Sequence, residues 1–291
     1  MPNDGIKKPG TALVTGCSSG IGRAIALELA DAGYRVHAGV RKESDAAALR
    51  AEGKMNLAPI MLDVADEGSI AAAVAAIGAE TGEAGLAVLV NNAGFALAGP
   101  LELQPVAELR AQFEVNTIGV VALTQACIPL LRKAKGRIVT ISSTSGISSM
   151  PFQGGYCASK HAVEALMAAL RVELRPWGIQ VCSVLPGDIR TPAWGKALAA
   201  ADAMIAGWSA EGRALYGPAV ETVRQMAATP RGIPPERVAV QVRRLLDRRR
   251  MPARSLAGPD APFYALLEVL PARLRDAIVA SQLPAYGRTA S

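Results

Sequence analysis

The chain has 291 residues, of which 51% are hydrophobic, 19% charged and 4% aromatic, and its formal net charge is +6. So apolar a composition excludes an intrinsically disordered chain, and the length suits one large α/β domain or two small ones. No apolar run reads as long enough to cross ~30 Å of hydrocarbon, and the opening MPNDGIKKPG has charge but no apolar stretch of a secretory signal.

Ala12-Leu13-Val14 reads as a first strand, followed by a Gly/Ser loop and a helix over Gly20 to Ala32. Strands follow at Arg35 to Val40 and Pro59 to Leu62, then a helix over Asp66 to Glu80 and a strand at Ala87 to Val90. A long helix over Val106 to Leu131, a strand at Arg137 to Ile141, a helix over Tyr156 to Arg175 and a strand at Gln180 to Leu185 complete the series. The strands are continuous apolar runs, as expected where a parallel sheet is covered on both faces. Strand then helix, repeated, predicts a doubly wound α/β sheet, and the right-handed crossover rule leaves few other topologies. After Gly187 the rhythm changes. Thr191 to Thr229 is rich in Ala and Gly, carries Trp194, Trp208, Tyr216 and Met226, and shows no strand. A helix over Pro235 to Arg249, a seventh strand at Arg254 to Ala257 and a proline-punctuated helical tail are expected beyond it. With no low-complexity linker and no internal repeat, residues 1–291 read as one domain. Its parts are a core over about 10–190, a lid over about 188–230 and a C-terminal extension over about 231–291.

The positive surplus gathers late, in Arg243-Arg244 and Arg248-Arg249-Arg250. No interleaved aromatics or nucleic-acid motif accompany these arginines, so a solvated helix face is the reading rather than a nucleic-acid surface. Cys17, Cys127, Cys157 and Cys182 are scattered without a C-x-x-C pair, which argues against zinc or a disulfide framework and fits a reducing cytoplasm. His37 and His161 have no partner at metal-ligand spacing, and no metal is expected.

Chemistry concentrates where strands end. Thr15-Gly16-Cys17-Ser18-Ser19-Gly20-Ile21-Gly22 joins the first strand to the first helix. Glycines there permit a tight turn and close approach to a pyrophosphate, and the helix N-terminus offers unpaired N–H groups. An NAD-binding chain usually places an acid about 20 residues after the glycines. Here the second strand ends Gly39-Val40-Arg41-Lys42, with Val40 where the acid would sit. Arg41 suits a 2′-phosphate, with Ser18 a second contact, so NADP (NADPH) is expected rather than NAD. Tyr156 and Lys160 lie four apart on a helix and so share a face, which lets the ammonium, together with an oxidised nicotinamide, favour the phenolate and bring its pKa down.

The spacing Gly16-x-x-x-Gly20-x-Gly22, together with Tyr156-Cys157-Ala158-Ser159-Lys160, resembles the short-chain dehydrogenase/reductase family, in its main single-domain branch. Ser143, 13 positions before Tyr156, matches that family's spacing, and Asn116-Thr117-Ile118-Gly119 is similar to its N-x-x-G. The resemblance implies a Rossmann-type sheet of about seven strands and a catalytic set of Asn116, Ser143, Tyr156 and Lys160. In that set Ser143 and Tyr156 hold the reacting oxygen, Lys160 also touches the ribose, and Asn116 supports a water relay to the lysine. It further implies cofactor contacts from Gly16, Ser18, Ser19, Gly20, Ile21 and Gly22, and from Arg41, Asp63, Val64, Asn92, Ala93 and Gly94. Pro186, Gly187, Ile189 and Thr191 are implied on the carboxamide side.

The implied reaction is hydride transfer between a nicotinamide and a carbon bearing oxygen. The end of the second strand and the tail Ala257-Gly258-Pro259-Asp260-Ala261 are similar to the steroid- and retinol-dehydrogenase subgroup, which points to a bulky lipophilic alcohol or ketone. A reductase of β-keto acyl or ester compounds is the alternative, and a dinucleotide-sensing regulator without chemistry is a third reading. The helices Val106–Leu131 and Tyr156–Arg175 resemble those that build the family's dimer, so a homo-oligomer is expected. Apolar residues and arginines mix over Phe263 to Ile278, where a docked C-terminal helix is expected rather than contact with a membrane surface.

Overall fold

The computed structural model describes residues 9–191, 193–228, 232–281 and 283. Seven strands form one parallel sheet: β1 (Thr11–Val14), β2 (Arg35–Val40), β3 (Leu57–Met61), β4 (Val88–Asn91), β5 (Arg137–Ile141), β6 (Gln180–Pro186) and β7 (Arg254–Ala257). Their order is β3-β2-β1-β4-β5-β6-β7, so the chain reverses direction across the sheet between β1 and β4. The register brings the carboxyl ends of β1, β4, β5 and β6 to one edge, where Val14 pairs with Val90, Asn91 with Thr140 and Ile141 with Val184.

Successive strand residues enter opposite layers, which is why the central strands are apolar on both faces along most of their length. Ala12, Val14, Val88, Val90, Val139, Cys182 and Val184 face a core closed by α1 (Gly20–Asp31), α2 (Glu43–Arg50) and α9 (Pro235–Leu246). Leu13, Leu89, Ile138 and Val181 face the other core, beneath α3 (Glu67–Thr81), α5 (Gly119–Ala134) and α6 (Gly154–Glu173). The sequence reading had no α2. Only Ala46 and Leu49 of its eight residues are buried, too short an apolar stripe to register as a period.

The expected helix over Val106 to Leu131 is two helices, α4 (Val106–Phe113) and α5, joined by a π turn at Glu114–Ile118. The Gly119 N–H bonds to the Glu114 carbonyl, five residues back. By length and composition alone, Val106–Ala134 is the one described helical run that could cross a membrane, which corrects the expectation that no run was long enough. Its inner face is core: Val120, Leu123, Cys127 and Leu131 are buried against β4 and its neighbours.

Beyond β6 the cap is helical, with α7 (Ala193–Ala206) and α8 (Ala210–Ala228). Met204, Trp208 and Ala219 are buried; the side chains of Trp194 and Met226 lie outside the described residues. β7 pairs with β6 as expected. The tail forms α10 (Ala261–Leu267) and α11 (Ala272–Ser281). Its docking differs from expectation: α10 buries Ala261 and Leu267, whereas α11 buries nothing and Phe263, Leu266, Val269 and Leu274 are exposed. Of the late arginines, Arg243 is paired with Glu28 at 2.7 Å and Asp247 at 2.8 Å.

Candidate active site

The loop after β1 is shaped by its glycines. Gly16 and Gly20 have φ of 69° and 60°, values that L side chains rarely adopt, and a Cβ on Gly22 would overlap the Gly16 carbonyl and the Asn92 amide. Ser19 is the N-cap of α1 but makes no side-chain cap bond, and the first turn contains no acid. Its N–H groups and positive dipole end are thus left uncompensated, the arrangement that takes a phosphate. Ser18 is exposed beside them, and Ile21 packs partly against the core.

Thr15, quoted in the motif but not singled out, ties this loop to β4. Its Oγ1 accepts the backbone N–H of Asn92 at 2.9 Å and of Ala93 at 2.8 Å. The Asn92 amide donates to the Thr15 and Gly16 carbonyls at 2.8 and 3.3 Å. Asn92 therefore braces the loop, while Gly94 is exposed. The contact joins residues 77 positions apart, and no local spacing could reveal it.

At the ends of β2 and β3, Arg41 is exposed with its Nη1 4.0 Å from Asp63 Oδ2. Val40 is buried, so no carboxylate occupies the end of β2. Asp63 Oδ1 accepts the Ala65 N–H at 3.1 Å, and buried Val64 packs its carbonyl against Gly119 at the start of α5.

The end of β5 and the first turns of α6 bring Ser143, Tyr156 and Lys160 together. Ser143 Oγ accepts the Ser145 N–H at 3.0 Å and lies within hydrogen-bonding reach of the Tyr156 phenol. Lys160 is buried, donates to the Ile141 carbonyl at 3.1 Å, and has its Nζ 5.9 Å from the Tyr156 ring centroid. Burial pushes the phenol up to about 12 against the smaller downward pull of Ser143. In the protein alone the ammonium stands beside the ring and bonds to Ile141, and loss of water is the larger effect. Burial also lowers Lys160 to about 8, opposed by Glu164 one turn on.

Asn116 sits inside the π turn, a deformation frequent at functional sites. It is fully buried; its Oδ1 accepts the Phe95 N–H at 2.9 Å, and its Nδ2 donates to Phe95 O at 2.8 Å and Ser159 Oγ at 3.1 Å. The amide fastens the segment after β4 to α6, and a Cβ on Gly94 would meet Asn116 Oδ1 at 2.9 Å and Lys160 Nζ at 3.7 Å. Ser159, absent from the sequence-derived set, completes this link by donating to the Tyr156 carbonyl at 2.7 Å.

Pro186, the last residue of β6, and Ile189 beyond it are buried, and Gly187 donates to the Ala257 carbonyl at 2.9 Å. Ile189 forms a parallel bridge with Ile233, and Thr191 abuts Gly20, so this loop touches the glycine loop. Above it, Phe152 meets Tyr216 edge-on at 6.5 Å, and Met204 fills the space over Gly99. Among the described residues, no group of three or more His, Cys, Asp or Glu is placed to hold a metal.

A family model described as short chain dehydrogenase matches residues 10–202. The NADPH-dependent 3-dehydrocapnine reductase of Ornithobacterium rhinotracheale is 37% identical over 273 residues, covering 92% of this chain and 95% of its own. Retinol dehydrogenase 5 of Mus musculus is 39% identical over 180 residues, which span 62% of this chain and 56% of that enzyme. The crystal structure of a short-chain dehydrogenase from Streptomyces avermitilis superposes with a TM-score of 0.75 at 31% identity, over 94% of this chain and 95% of the other.

Proposed function

We propose that this chain, which belongs to the short-chain dehydrogenase family, interconverts a bulky lipophilic alcohol and its ketone or aldehyde with NADP(H). The observation that carries the reading is the half-buried Tyr156 with its phenol within hydrogen-bonding reach of Ser143, one helical turn from the buried Lys160. A neutral phenol paired with a second hydroxyl suits a carbonyl oxygen that gains charge as it is reduced. When bound, the coenzyme supplies the hydride from C4 of its nicotinamide. Ser143 and Tyr156 hold the substrate oxygen, Tyr156 passes it the phenolic proton, and Lys160 keeps positive charge beside the phenolate left behind. Asn116 positions α6 and the segment after β4 around them.

The residues fit such a coenzyme. The glycine cradle and the uncapped first turn of α1 suit the pyrophosphate, with Gly16, Ser18, Ser19, Gly20, Ile21 and Gly22 around it. Asp63 and Val64 stand on the adenine side, and Pro186, Gly187, Ile189 and Thr191 on the nicotinamide side. NADP is favoured over NAD because the end of β2 offers the exposed Arg41 and no carboxylate. The relative matched along nearly its whole length is described as NADPH-dependent, which supports the same choice.

The substrate class draws on the apolar cap, where Met204 and Trp208 are buried and Met204 lies over Gly99, whose N–H bonds to the carbonyl of buried Phe152 just before α6. Relatives described as a 3-dehydrocapnine reductase and a retinol dehydrogenase support a lipophilic substrate. A homo-oligomer through α5 and α6 and a cytoplasmic setting complete the proposal; the four free cysteines suit a reducing compartment. The test is NADPH oxidation against retinal, a steroid ketone, a long-chain 3-keto lipid and a small β-keto ester. Turnover of one or more lipophilic carbonyls above the ester is expected. Turnover of the ester alone would replace this reading with that of a small β-keto reductase.

A further inference from the structure

Asp260 stands at the N-cap of α10 yet makes no cap bond to that helix, although an Asp there ordinarily accepts from the first turn's N–H groups. Its carboxylate turns instead to the loop after β6, where Oδ2 accepts the Asp188 backbone N–H at 2.8 Å. The fit is tight. A Cβ on Gly187 would overlap this carboxylate, and Gly258, at φ 113°, bends the chain after β7 so that the carboxylate reaches the loop. The Gly187 N–H bonds to the Ala257 carbonyl at 2.9 Å on the same side. On the other side, Ile233 donates to the Asp188 carbonyl at 3.2 Å and receives the Arg190 N–H at 3.0 Å. The remaining carboxylate oxygen, Oδ1, is buried without a hydrogen-bond partner among the described residues, a cost that the grip on Asp188 must outweigh.

We infer that Asp260 is a positioning residue for the coenzyme, its carboxylate fixing the backbone of Gly187 and Asp188 where the nicotinamide end is received. The segment beyond β7 is then part of the coenzyme site, although its sequence carries no coenzyme motif. The inference rests on the proposed function, which gives the loop that task.

The test compares two ligands by calorimetry: NADP+ and 2′-phospho-ADP-ribose, which lacks the nicotinamide. Asp260→Ala removes the acceptor and should weaken NADP+ by about tenfold while leaving 2′-phospho-ADP-ribose within about twofold of wild type. Asp260→Asn keeps an acceptor of the same shape and should restore most of the NADP+ affinity. Gly187→Ala, which displaces the carboxylate from the other side, should give the same ligand-selective loss and serves if Asp260→Ala does not fold. Equal weakening of both ligands, or no weakening of either, would overturn the role of Asp260 while leaving the proposed function standing. A wild-type protein that binds neither ligand would overturn both.

Discussion

Tyr156 and Lys160 lie one helical turn apart, and burial acts on them in opposite directions, holding the phenol protonated and loosening the proton of the ammonium. Tyr156→Phe keeps the ring and removes the donor, so turnover in the NADPH assay should fall by about 10²–10⁴ while NADPH affinity barely moves. Near-wild-type turnover would remove Tyr156 from the chemistry. Lys160 binds its proton less tightly folded than unfolded, so its charged form opposes folding. That penalty is full below about pH 8 and fades towards 10.5, the ordinary value at which an unfolded lysine gives up its proton. Lys160→Met should therefore be more stable than wild type at neutral pH in urea unfolding, and the gap should narrow as pH rises through this window; a gap that widens contradicts the burial argument. The spacing of Ser143, Tyr156 and Lys160 was legible because it is local, set by one strand end and one helix. The upward shift of the phenol was not, since it comes from burial by segments far off in the chain.

Among the elements, the end of β2 bears on coenzyme choice and the π turn on the site's frame. Arg41 is exposed and 4.0 Å from Asp63, close enough to be oriented and free to meet a phosphate. One charge-assisted bidentate contact contributes about 1.5–3 kcal/mol, or about one to two decades in affinity. Arg41→Ala combined with Val40→Asp should lower NADPH affinity by that amount and raise NADH affinity, read by calorimetry. A wild type that already prefers NADH would refute the reading of β2. Asn116 was legible as a motif residue, but the π turn that carries it was not: a five-residue deformation leaves the apolar period of α4 and α5 almost intact. The cap showed only that no strand falls there; its helices α7 and α8 carry Met204 over Gly99 and Tyr216 edge-on to Phe152, contacts with distant segments that no local pattern reveals.

For the whole molecule, the strand–helix alternation predicts the sheet, because strands covered on both faces read as near-continuous apolar runs. Long-range ties lay beyond such reading: Thr15 to Asn92, and Asp260 to Asp188, join strand ends that are neighbours only once β4 lies beside β1 and β7 beside β6. These ties gather the glycine loop, the Tyr156–Lys160 helix and the loop after β6 at one edge of the sheet, outside the strand reversal, where open α/β sheets receive ligands. The central claim is that this edge directs hydride from a nicotinamide to a carbonyl carbon. It is tested most directly by supplying NADPH with deuterium at both C4 positions and a lipophilic ketone, and reading the product by mass spectrometry. The account predicts one deuterium on the carbinol carbon, and none from the Tyr156→Phe protein over the same interval. An alcohol without deuterium on that carbon, or NADPH oxidised with no alcohol formed, would contradict it.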